Sequence, residues 1–118
     1  MKTFLAIYLG TDTAMESSGW SKLGAKERED REAAGLDAWM EWGKANAAAI
    51  VDQGAPLGKT MRAAPEGIAD GKNGMTGYVI VRAESHEAAT RLFEKHPHFS
   101  IFPGDSVEIM ECLPMPDR

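Results

Sequence analysis

The stretch Gly77-Tyr78-Val79-Ile80-Val81-Arg82-Ala83, with Ser85-His86-Glu87-Ala88-Ala89 after it, decides the fold. Its first seven residues are rich in β-branched and aromatic side chains and read as a strand. Ser85 is placed to cap a helix, and Glu87 in the first turn favours the helix dipole. Ala88, Ala89, Leu92, Phe93 and His96 recur at helical spacing and form the inner stripe of that helix. Pro97 ends it, because proline disfavours helix at the residue before it. Asp105 to Leu113 reads as a final strand.

Working outward, the N-terminal half has the same plan. Phe4 to Leu9 is apolar on both alternating faces and stops at Gly10, as expected for a central strand covered on both sides. The same stretch is too short for a comfortable secretion signal, and Asp12 follows it closely. Residues 11 to 24 are small and polar and read as a loop. A helix follows from about Ala25 to Ala49. Its first part, Lys26 to Glu32, is all charge and reads as a solvated face with i,i+4 ion pairs. Leu36, Trp39, Met40, Gly43, Ala47 and Ile50 are expected to face the sheet. Gly35 and Gly43 each weaken the helix by about 1 kcal/mol relative to alanine.

Ile50-Val51-Asp52 reads as a short strand ended by Gly54-Ala55-Pro56. Lys59 to Ala63 and Ile68 to Asp70 are expected to pair as a small hairpin across Pro65-Glu66-Gly67. The simplest packing is one α+β domain over residues 1–118, of βαββαβ order. It has an antiparallel four-stranded sheet with both helices on one face. Val79, Val81 and Ala83 suit the helix-covered side, which leaves Tyr78, Ile80 and Arg82 on the other. A far face this apolar calls for cover, and a second copy of the chain would supply it. A homodimer is therefore expected.

The chain has 118 residues and a net charge of −5, from 18 acidic and 13 basic residues. This argues against a nucleic-acid partner or an anionic membrane surface. The single cysteine, Cys112, excludes an internal disulfide and fits a cytoplasmic location. No apolar run approaches the roughly 18 residues needed to span a bilayer.

Several segments together resemble one family. Met1-Lys2 with Leu5-Ala6-Ile7-Tyr8 is similar to the start of YCII-related proteins of the DGPF branch. So is Asp70-Gly71 ahead of Gly77-Tyr78-Val79-Ile80-Val81. Ala83 to Ala89, His96-Pro97 and Gly104 to Ile109 resemble its later segments. The resemblance implies a ferredoxin-like fold and a dimeric α/β barrel. It implies relatives that act on chlorinated aromatic rings or sit beside regulatory proteins, and it adds Asp70 to the binding candidates. The family's first-helix histidine aligns with Leu36, and the DGPF motif is reduced to Asp70-Gly71.

Candidate chemistry is sparse. Gly54 to Thr60 falls one residue short of a phosphate loop and reads as a turn between strands. His96 and His98, two apart, are the most reactive-looking pair: acid/base groups, ligands of one metal, or structural residues. No third ligand is fixed by spacing, so neither a metal nor a cofactor is expected. Tyr8, Tyr78, Arg82 and Glu108 are expected to line the far face as a pocket, with Arg82 and Glu108 either gripping a ligand or forming a cross-strand ion pair. Trp39 reads as core, and Trp42 as a residue that reaches a ligand or the dimer seam. Cys112 reads as a small hydrophobe. Two functions fit: an enzyme or binder for a small polar aromatic or carbonyl compound in a pocket at the dimer sheet face, or a non-catalytic ligand-sensing or interaction module.

Overall fold

The computed structural model describes residues 1–116. Strand β1 (Lys2–Leu9) leads to α1 (Asp12–Ser18), a short 3-10 turn at Trp20–Lys22 and α2 (Ala25–Ala45). Strands β2 (Ile50–Pro56), β3 (Thr60–Ala64), β4 (Gly67–Gly71) and β5 (Met75–Ala83) follow. Helices α3 (His86–Arg91) and α4 (Pro97–Ser100) then precede β6 (Ser106–Glu111). Four strands form one sheet in the order β2-β5-β1-β6, with each neighbouring pair antiparallel. Without the β3–β4 hairpin, which stands as its own two-stranded sheet, this is the βαββαβ arrangement of the ferredoxin-like fold.

β1 sits centrally because both its faces are apolar. Phe4, Ala6 and Tyr8 are buried on the helix side, beside Val79, Val81 and Ala83 of β5. Leu5, Ile7 and Leu9 point the other way and are half-buried. Ser85 caps α3 by accepting from the Ala88 amide at 3.0 Å, and Ala89 and Phe93 seal the core beneath it.

Three expectations needed correction. Residues 11 to 24 are largely helical: Thr11 caps α1, its hydroxyl accepting from the Ala14 amide at 3.0 Å, and Trp20 is buried. The apolar face of α2 is rotated from the expected one. Leu36 and Met40 are about 60% exposed, at 60% and 62%, while Gly35 is buried and Trp39 and Trp42 pack on the core. A Cβ on Gly35 would overlap the Phe102 ring, so the glycine that weakens the helix also admits Phe102 against it. Finally, β2 runs on through Gly54-Ala55-Pro56. Gly54 adopts φ 66, and a Cβ there would overlap the Tyr78 carbonyl, so β2 bulges instead of stopping.

Candidate functional site

Between α2 and the β2–β5 side of the sheet lies a cavity of about 760 Å³, within the range of small-molecule sites. Trp39, Trp42 and Gly43 form its helix wall; Gly54, Val79 and Tyr8 belong to its sheet wall. The exposed Leu36 and Met40 also line it and mark its solvent side. The cavity therefore lies on the helix side of the sheet, opposite the face on which the pocket was expected.

Its deep end is an aromatic cluster centred on Tyr8, which is 4% exposed. The Tyr8 ring lies 4.9 Å from Trp39, 5.1 Å from His96 and 5.3 Å from His98, measured between ring centroids. Trp39 and Trp42 meet His96 edge-on at 4.5 and 4.7 Å. His96 is fully buried. It is not the C-terminal residue of α3, as its sequence position suggests; it caps α4, and its Nδ1 accepts from the His98 amide at 3.0 Å. A backbone N–H can only donate, so Nδ1 carries the lone pair and Nε2 the ring proton. That Nε2 lies 3.4 Å from the Tyr8 hydroxyl.

His98 is anchored differently. Its Nε2 donates to the Leu9 carbonyl at 2.7 Å, tying α4 to the end of β1. It borders both the main cavity and a second recess of about 580 Å³ beside Thr11, Lys72 and Asn73.

Burial sets the protonation states. It lowers His96 to about 4, with the neighbouring His98 charge adding to the effect. Burial also lowers His98, against the opposing pull of the Leu9 carbonyl and the Asp105 carboxylate. Burial pushes the Tyr8 phenol up. A histidine near its ordinary value would be a proton carrier at pH 7; His96 is instead held neutral, because an imidazolium has no counter-charge in this aromatic shell.

The structure gathers Tyr8, Trp42, His96 and His98, and Tyr78 joins the wall at the β2 bulge. Tyr8 was expected on the far face; the alternation of β1 turns it to the helices. Trp42 donates from Nε1 to the Leu92 carbonyl at 2.7 Å, so it braces α2 as well as lining the cavity. Arg82 and Glu108 cannot pair across strands, since β1 separates β5 from β6. Arg82 registers with Thr3, and its Nε donates to the Ala48 carbonyl at 3.1 Å; Glu108 registers with Ile7 and is exposed. Asp70 lies on the hairpin, 3.6 Å from Lys59. Cys112 is exposed rather than buried. Phe102 was missed: it comes from the α4–β6 connection, where no periodicity points to it, yet it packs 6.0 Å from Trp39 and lines the cavity. Among the described residues, no group of three or more His, Cys, Asp or Glu is arranged to hold a metal ion. No helix among them is long and apolar enough to cross a membrane.

No family model and no curated protein matches the chain. Among solved structures it is similar to 5-chloro-2-hydroxyhydroquinone dehydrochlorinase from Burkholderia phenoliruptrix AC1100, in its complex with 2,5-dihydroxybenzoquinone. The identity is 17%, the match covers 92% of this chain and 90% of that one, and the TM-score is 0.49.

Proposed function

We propose that this protein takes a small aromatic or carbonyl compound into the cleft between α2 and the sheet, without a bound cofactor. The observation that carries this reading is a largely apolar cleft lined by three aromatic side chains from α2 and the α4–β6 connection, with Tyr8 and His98 as polar groups on its wall. Apolar walls with one or two placed polar groups are the usual make-up of a small-molecule site. Trp39, Trp42 and Phe102 line the cleft with aromatic surface, which suits a flat apolar ligand. Because burial holds the Tyr8 phenol neutral at pH 7, and His96 behind it is neutral too, this end of the cleft suits hydrogen bonding better than abstracting a proton. Any catalysis in this reading works by polarising the bound compound. The same neutrality favours a second reading, in which the cleft binds a ligand for sensing and performs no reaction.

Tryptophan fluorescence tests the cleft, since two of its lining residues are tryptophans. Small aromatic compounds are expected to perturb the emission saturably, and Gly43→Trp, which fills the cleft, to abolish the response. No saturable response from any such compound would sink the reading.

We further propose that the helix-free face, with Leu5, Ile7 and Ile80 half-buried upon it, packs against a second copy of the chain. Light scattering on a gel-filtration column is expected to give the mass of a dimer at micromolar concentration. A monomer there, unchanged on concentrating, would overturn it.

A further inference from the structure

The strand register lays out a charge pattern on the helix-free face of the sheet. Leu5 registers with Ile80 of β5 on one side and with Met110 of β6 on the other, so the three form an apolar row across the sheet. Two residues before Leu5, Thr3 registers with Arg82; two residues after it, Ile7 registers with Glu108. Val81 and Ala83 flank Arg82, and Val107 and Ile109 flank Glu108; all four belong to the helix-side core. Alternation therefore puts both charges on the helix-free face, where both residues are exposed. They stand at opposite corners of the apolar row, with β1 between their strands. At about 4.8 Å between strands and about 3.4 Å per residue they are roughly 16–17 Å apart, and Leu5 lies midway. At that distance they cannot pair within one chain.

We infer that this face is self-complementary, and that two reciprocal Arg82–Glu108 ion pairs between two copies of the chain set the orientation of the dimer. The inference rests on the reading that a second copy covers this face, and adds the residues that fix how it sits. One charge of each sign at opposite corners of an apolar row is what an interface between identical surfaces requires. A two-fold axis between the two faces, over Leu5 and at right angles to the Arg82–Glu108 line, exchanges the corners. Arg82 then meets Glu108 of the partner subunit, Glu108 meets the partner's Arg82, and the apolar rows close between the two contacts. The Arg82 Nε already donates to the Ala48 carbonyl at 3.1 Å, which holds the side chain, and the guanidinium has further N–H donors for a carboxylate. Such rim pairs add little affinity singly, but they reject orientations that bring like charges together.

The test is charge reversal in the full-length protein, with dimer affinity read by analytical ultracentrifugation. Arg82→Glu and Glu108→Arg each put like charges at both contacts, and each is expected to weaken the dimer about ten- to a hundredfold. Mixing the two variants is expected to restore a dimer of near wild-type affinity, because both contacts of the mixed pair again join opposite charges. Single variants that dimerise as the wild type does, or a mixture no tighter than its components, overturn the inference. If Arg82→Glu fails to fold, Glu108→Arg against Glu108→Gln decides. The reversed charge must then weaken the dimer well beyond the neutral one, and equal weakening overturns the pairing. A wild-type dimer indifferent to these changes leaves the second copy in place and sinks the pairing alone. A wild-type monomer sinks both.

Discussion

The two main helices cover the same face of the sheet in opposite ways. Helix α3 presents alanines: Ala89 is fully buried and Ala88 partly so, which brings the helix close to β5 and β6. Helix α2 presents tryptophans. Trp39 and Trp42 act as pillars at the deep end, and the small Gly43 and Ala47 beside them leave the space over β2 and β5 unfilled. Small residues on a helix give a closed core when the helix can settle onto the sheet. The same small residues beside large ones give a cleft, because the large ones fix the height of the helix. Closure in one half supplies stability, and incomplete closure in the other supplies a site.

If that contrast is right, truncation in the closed half is the most damaging change. Phe4, fully buried beneath α3 and 5.3 Å from His86, is expected to lose about 3–5 kcal/mol as Phe4→Ala in urea unfolding at pH 7. A loss below about 1 kcal/mol would mean that this half is not tightly closed.

Acid is expected to act next most strongly, and at the boundary between the halves. The His96 imidazole titrates near about 6.5 in the unfolded chain and at about 4 in the folded one. Between those values the unfolded chain binds the extra proton, so stability falls as pH drops from about 6.5 and the loss levels off below about 4. The full loss approaches about 3 kcal/mol. The lowered His98 adds to it in the same direction. Replacing the imidazole in His96→Gln should flatten the stability profile across that window, whatever it does to the absolute stability.

A matched pair of glycines on α2 sharpens the comparison further. Gly35→Ala drives a methyl into the Phe102 ring and is expected to cost about 1–3 kcal/mol. Gly43→Ala, one of the smallest effects, meets nothing within 4 Å and is expected to stabilise by about 0.5–1 kcal/mol through helix propensity. Thermal unfolding of the two variants side by side reads both signs. Equal effects would show that the cleft wall is packed as tightly as the Phe102 contact.

Much of the architecture was legible because it is local. The alternation in Gly77 to Ala83, the cap at Ser85 and the turn at Pro65-Glu66-Gly67 each act within a few residues. The site was legible only in part. His96-Pro97-His98 drew notice as two histidines, yet their roles differ because one meets a backbone N–H and the other a carbonyl. Arg82 and Glu108 were expected on the far face, either gripping a ligand or paired across strands; the strand order puts β1 between their strands.

The residue types and their periods determined that β1 is central, that β5 has one covered face, and that the fold is α+β. Those properties follow from side-chain alternation, which a strand fixes by geometry. Which face receives Tyr8 and how high α2 stands depended on contacts between residues as much as 88 positions apart. Only the tertiary structure decides such contacts, because they are set by how bulky residues share space and not by spacing along the chain.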